Sequence, residues 1–237
     1  MKAIYPDRIS SVSADTENAE YPASNIQNDM QKKVWKATAS TATLTIVVDA
    51  YSKAIAIFNT NADSVTISIK TAGDLLIETY TKTLSTYDLR NFWQDYTEQT
   101  ASHKVVIDFT APDGEVVEVG AVKTGAVESL YVDPDYGIGE SLIDHSFIKQ
   151  LNNGAADIYP AKGLRTFDGR ILIERDDEFY DILRDFVDAM GDQITAFSVA
   201  SLDYAYWTVL GWFRTLPTGS HDYPNHSVIN FQIEEVP

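Results

Sequence analysis

The chain has 237 residues and no cysteine, and its 35 acidic against 18 basic residues give a formal charge of −17 at pH 7. The missing cysteines exclude a disulfide scaffold, a thiolate metal site and a cysteine nucleophile. The acidic balance argues against a protein that tracks nucleic-acid phosphates, which needs clustered Lys and Arg. Length and a hydrophobic fraction of 44% allow two ordinary domains. Residues 1–20 are polar and acidic where a secretory signal needs an apolar core. No run approaches the roughly 18 apolar residues of a membrane span. A soluble chain without a Sec signal and without a membrane partner is expected.

Residues 1–30 read as mostly turn-forming, with Tyr5-Pro6 and Tyr21-Pro22 among Ser, Asn, Asp and Glu, and with one helical turn starting at Ala23-Ser24-Asn25-Ile26. Strands follow at Val34–Ala37, Thr41–Val48, Ala54–Asn59, Val65–Lys70 and Leu75–Leu84, rich in Val, Ile and Thr. Lys104–Thr110 and Val116–Lys123 close the series around the turn Pro112-Asp113-Gly114. Seven or so short strands without a long helix predict an antiparallel β-sandwich over residues 1–128.

The order of these features resembles the galactose-binding, discoidin-like jelly roll. It is carried over residues 20–125 by Ala23-Ser24-Asn25-Ile26, Trp35, the alternating strand that ends near Asp49, Ala54–Asn59 with Thr60-Asn61-Ala62, and the strand leading into Val119–Val122. That resemblance implies a jelly-roll sandwich and, as one reading, a carbohydrate-binding module that contacts host-surface glycans.

Residues 125–160 form a join with turn formers at Asp133-Pro134-Asp135-Tyr136-Gly137-Ile138-Gly139. A hairpin at Asn152-Asn153-Gly154 links Phe147–Leu151 to Ala156–Tyr159. A second domain is expected over 129–237. In it Arg165–Arg175 alternates as a strand. Phe179, Ile182, Leu183, Phe186, Val187 and Met190 then space as one apolar face of a helix over 177–190. Asp176 or Asp177 caps that helix, and Gly191 stands where a left-handed C-terminal cap is wanted. Gln193–Val199 returns as a strand, Tyr204–Thr215 continues, and His226–Val236 ends the chain as a half-buried strand.

The strand with Asp168-Gly169-Arg170, the helix ending in Met190-Gly191-Asp192, Phe197, Tyr206-Trp207 and the closing Phe231-Gln232-Ile233-Glu234-Glu235-Val236 resemble the minor and distal tail proteins of long-tailed bacteriophages. The resemblance covers residues 140–237 and implies an α+β split-barrel domain like those of distal-tail or tail-tube proteins. In many distal-tail proteins the ring-forming domain comes first, whereas here the jelly roll precedes it. The implied protein is a virion component made in the host cytoplasm and placed at the tail tip or baseplate. It would form a cyclic ring, hexamer or trimer, beside tail-tube protein and hub, with an acidic wall that DNA passes without binding.

No catalytic constellation accompanies these elements, and no enzyme, cofactor or metal is expected. Glu174 and Asp176-Asp177-Glu178 are explained by capping and the helix dipole. His145, His221 and His226 with Asp144 or Asp222 match no ligand spacing. Ser141, Asp144 and His145 lack a nucleophile elbow, and Gly137-Ile138-Gly139 lacks a third glycine. Two aromatic groups stand out. Tyr87, Phe92, Trp93 and Tyr96 lie in a polar segment as a candidate glycan or partner platform, with core packing as the other reading. Tyr204, Tyr206, Trp207, Trp212 and Phe213 load both faces of one strand pair, as candidates for subunit contact or internal core.

Overall fold

A computed structural model describes residues 1–84, 91–129, 138–143, 146–150, 156–159, 163–174, 187–188, 190–191, 193–199, 207–220 and 226–236. The protein is mainly β and divides into two compact units. One comprises Met1–Tyr131 with Ile194–Leu210, the other Val132–Gln193 with Gly211–Pro237.

The first unit is a sandwich of two antiparallel sheets. One sheet contains β2 (Ile9–Ala14), β4 (Thr41–Val48), β6 (Ser64–Thr71), β7 (Leu76–Thr83) and β9 (His103–Thr110) in the order β2-β4-β9-β6-β7. Alternation decides its inner face. Thr41, Thr43, Thr45 and Val47 point outward, while Ala42, Leu44, Ile46 and Val48 are buried. The register stacks Ile46, Val105 and Ile69 in one row across the sheet and Leu44, Ile107 and Ile67 in the next. The facing sheet runs β15-β1-β10-β5-β8, formed by β1 (Lys2–Asp7), β5 (Ser52–Thr60), β8 (Phe92–Gln99), β10 (Glu118–Ser129) and β15 (Thr195–Ser198). The two-residue β3 (Trp35–Lys36) pairs with β10. Ile55, Ile57, Phe92, Tyr96, Val119, Val122 and Trp35 meet the first sheet in one core. Trp35 packs edge-on to Phe109 with ring centroids 5.9 Å apart. Each fully buried Ile, Val or Leu contributes roughly 1.5–3 kcal/mol, so this face dominates the unit's stability.

Two expectations for this half are corrected. Residues 2–14 form strands β1 and β2 where turns were expected. Pro6 sits at the register shift between Ile4 and Asp7, where no ladder donor is needed. β2 is an edge strand with no fully buried residue, so its apolar signal is thin. The polar segment after Leu84 also contains a strand. β8 is an edge strand, and Asp95, Thr97 and Glu98 are exposed on it. The turn at Ala23–Gln27 is a short 3-10 helix.

In the second unit β11 (Gly139–Ile143), β14 (Leu164–Glu174), β17 (His226–Glu235) and the Gly211–Ser220 part of β16 (Thr208–Ser220) form an antiparallel run. β12 (Phe147–Gln150) and β13 (Ala156–Tyr159) pair as a hairpin, Phe147 opposite Tyr159 and Gln150 opposite Ala156. Gly169 is opposite Phe231, whose ring covers it, and a Cβ there would lie 2.5 Å from the ring. Arg165 donates from Nε and Nη2 to Glu235 at 3.0 and 2.9 Å. Of the helix expected over 177–190, the described residues show its C-terminal end. Met190 is buried, Gly191 has φ 49°, and the Gly191 amide donates to the Val187 carbonyl at 2.8 Å. The rest of its apolar stripe lies outside the described residues.

Candidate functional site

The expected aromatic platform is buried. Phe92 is 4%, Tyr96 6% and Trp93 9% exposed. Phe92 and Tyr96 face the sandwich core, and the Trp93 indole donates to Asp95 at 2.7 Å. Strand alternation accounts for Phe92 and Tyr96, which β8 turns inward against β5, whereas Trp93 stands opposite Ala56 on the other face of the strand. Phe92 and Tyr96 are core packing residues, Trp93 is 9% exposed outside that core cluster, and Tyr87 lies outside the described residues. The second aromatic group is divided. Trp207 is half-buried in the first unit, its carbonyl accepting from Val199 at 2.9 Å. Phe213 is buried and Trp212 is 36% exposed in the second unit. Tyr204 and Tyr206 lie outside the described residues. So do Asp144, His145, Asp176, Asp177, Glu178, His221 and Asp222. Among the described residues no three His, Cys, Asp or Glu side chains gather as a metal site.

The most connected polar cluster lies inside the first unit. The Ser52 hydroxyl is 2.8 Å from the Tyr96 hydroxyl and 3.1 Å from His103 Nε2. The Tyr96 hydroxyl is also 3.0 Å from that of Thr124, which donates to the Ala54 carbonyl at 2.8 Å. Burial lowers the His103 pKa, with the Ala101 carbonyl opposing, and raises that of Tyr96, with Ser52 and Thr124 opposing. Ser52 is fully buried and His103 is 2% exposed. The pair therefore joins the sheets and does not present a nucleophile to a substrate.

Above this cluster three loops meet at one end of the sandwich, marked by the cross-sheet row Val48, His103 and Thr71. They are residues 49–51, 72–75 and 100–102, and the crossing from β1 to β2 at Asp7-Arg8 joins them. Main-chain bonds tie the crossing and loops together. Arg8 donates to Thr124 at 2.8 Å, Asp49 to Arg8 at 2.9 Å and Tyr51 to Gln99 at 2.7 Å. Ser102 Oγ donates to the Val48 carbonyl at 3.0 Å. Tyr51 is 57% exposed and held at φ 63°, a left-handed conformation that costs a non-glycine residue about 1–2 kcal/mol. Asp49 and Thr100 are exposed beside it.

Arg8 is half-buried, and its Nε is buried without a hydrogen-bond partner. Beneath it the Lys123 ammonium lies 3.2 Å from Asp7 and 2.8 Å from Asp29. Burial opposes the Lys123 charge, but the two carboxylates outweigh it and raise its pKa. Asp7 Oδ1 also accepts the amides of Ile9 and Thr124, at 3.3 and 3.4 Å, fixing the main chain on both sides of Arg8. Neither Tyr51 nor Arg8 stands out in the sequence, because a left-handed tyrosine and an unpaired arginine have no local signature.

No family model matches the chain, and no curated protein matches it. Solved structures similar to it include XRCC1 bound to the DNA polymerase beta catalytic domain, at 14% identity and a TM-score of 0.41, covering 52% of this chain and 98% of that one. A chitosan-binding module from a chitosanase/glucanase of Paenibacillus sp. IK-5 is 15% identical with a TM-score of 0.39, covering 50% and 98%. The lectin-binding domain of lectinolysin complexed with Lewis b is 9% identical with a TM-score of 0.43, covering 51% and 94%. At these identities and TM-scores the likeness carries neither ligand nor mechanism to this chain.

Proposed function

We propose that the chain is a non-catalytic glycan-binding protein whose first unit holds a sugar on Tyr51. The observation that carries this reading is an aromatic ring more than half exposed yet fixed in a strained backbone conformation. Exposed strain of this kind persists where the surrounding structure enforces it, and it clusters at binding sites. An aromatic face accepts the apolar face of a sugar ring, and Asp49, Gln99 and Thr100 offer acceptors and donors to its hydroxyls. The test is titration calorimetry of the purified protein against a panel of oligosaccharides. One or more should bind, and Tyr51→Ala should weaken binding by about tenfold or more, a loss of roughly 1.4 kcal/mol, with an unchanged circular dichroism spectrum. No binding across the panel, or binding indifferent to Tyr51→Ala, refutes the reading.

A second reading is a structural part of a phage tail tip, with the second unit in a cyclic hexamer or trimer between tail tube and hub. It is favoured by exposed apolar side chains on that unit's strands, Leu142 at 72%, Leu216 at 44% and Trp212 at 36%. Closed rings in negative-stain images that disperse in Trp212→Ser support it. A chain that stays monomeric at high concentration and ignores tail-tube protein counts against it.

A further inference from the structure

We propose that the ligand of the Tyr51 end is an acidic saccharide, its carboxylate held by the Arg8 guanidinium while a ring face lies on Tyr51. This rests on the glycan-binding reading and names the substrate class within it. The chain has 35 acidic residues for 18 basic ones, so a partly buried cation has many carboxylates available to it. Several other cations take one: Lys123 has Asp7 and Asp29, Lys36 has Glu118, Lys104 has Asp74 and Arg165 has Glu235. Arg8 makes no ion pair among the described residues, and its Nε is buried without an acceptor. Asp49 and Glu98 are exposed near this end of the unit, yet neither pairs with it.

The backbone on both sides of Arg8 is pinned by Asp7, which Lys123 holds in turn. Gly125 presses against the Pro6 carbonyl, and a Cβ there would lie 2.1 Å from that oxygen and 3.3 Å from Arg8 Cγ. The crossing that carries Arg8 is therefore set in place with its fork unpaired, and a guanidinium fork matches a carboxylate in two parallel hydrogen bonds. Lys53, two residues beyond Tyr51, is a second half-buried cation without an ion pair among the described residues. The overall negative charge does not prevent this. At physiological salt exposed charges more than about 8 Å away are largely screened, so the groups in contact decide.

The experiment is calorimetric titration of the intact chain with hexuronate oligomers of glucuronate, mannuronate and galacturonate type, and with their methyl esters. Esterification removes the charge and keeps the ring. The acid form of at least one should bind about tenfold or more tighter than its ester, and raising the salt should erode that difference. Arg8→Gln should bring acid and ester to equal affinity, whereas Tyr51→Ala should weaken both. Equal affinity of wild type for acid and ester, with both lost in Tyr51→Ala, overturns the acidic assignment and leaves the glycan reading standing. Comparable binding of a polyglutamate peptide overturns the saccharide part. Failure of every saccharide to bind overturns the glycan reading itself. The acid-to-ester comparison on wild type stays decisive even if Arg8→Gln folds poorly.

Discussion

Replacing Tyr51 by glycine and by alanine separates binding from folding at one position. Both substitutions remove the ring, but only glycine adopts φ 63° without steric cost. Alanine keeps a left-handed penalty of about 1–2 kcal/mol. Glycine recovers that penalty but gives back roughly 0.4–1 kcal/mol through the greater freedom of its unfolded chain. The net expectation is that Tyr51→Gly is more stable than Tyr51→Ala by about 0.5–1 kcal/mol, while both lose the sugar. With the residue 57% exposed, little packing is at stake in either. Urea unfolding followed by tryptophan fluorescence reads the difference, since Trp35 is buried in the core of this unit. At a slope of roughly 1–3 kcal/mol per molar the midpoints should differ by about 0.2–1 M. An alanine variant as stable as the glycine variant would mean that Tyr51 carries no strain, and the argument from strain to binding would fall.

Three further outcomes are expected. Burial lowers the His103 pKa, so between its folded value and the ordinary 6.5 the unfolded chain binds a proton that the folded one refuses. Its contribution is complete above that ordinary value and is lost as pH falls through the folded value. The urea midpoint of wild type should therefore drop more steeply on acidification than that of His103→Gln, and parallel pH profiles would contradict this. Asp7→Asn combined with Asp29→Asn leaves Lys123, 7% exposed, without a counter-charge, which costs about 3–5 kcal/mol. Lys123→Met should cost less, because both carboxylates can reach water; the reverse order of the two melting temperatures would refute the account. Gly169→Ala drives a methyl into the Phe231 ring, 2.5 Å away, and should destabilise the second unit by about 1–3 kcal/mol, read as earlier hydrogen exchange in Ile229 and Ile233.

Much of the sandwich was legible because its inner face follows strict alternation. Thr41–Val48 has the boundaries the sequence indicates, and Val65, Ile67 and Ile69 repeat at period two. Gly191 also adopts the left-handed conformation its position demands. Edge strands were harder to see. Ile9-Ser10-Ser11-Val12 carries too few apolar side chains, and Phe92–Gln99 mixes aromatics with acids, so neither shows the regular alternation of an inner strand. The long-range return of Ile194–Leu210 to the first unit was invisible for another reason. Residues 2–4 pair with 196–198, and nothing local in either segment names the other. The candidate site was illegible for the same cause: aromatic density drew attention to Phe92 and Trp93, whereas exposure and strain single out one tyrosine in a short turn.

The position of Tyr51 directly before Ser52 connects the site to the core. Ser52 is held by Tyr96 and His103, and the Tyr51 amide by Gln99, so the residue is clamped on both sides. Strain at Tyr51 is sustained because relaxing it would break buried hydrogen bonds, each worth about 0.5–1.5 kcal/mol net and more if a buried group is left unsatisfied. An apolar core at the same place would fill the space but would let the turn slide. A polar network whose members need one another fixes a single register. The main chain that carries the ring is therefore fixed before any ligand arrives, and that part of the ordering cost of binding is already met by folding. Arg8 is treated in the same way, with its main chain fixed through Asp7 and Lys123 and its fork left open. Two side chains of different chemistry, each carried on a main chain that polar groups hold and neither partnered within the described residues, fit the preorganisation that the proposed charged-sugar ligand would need.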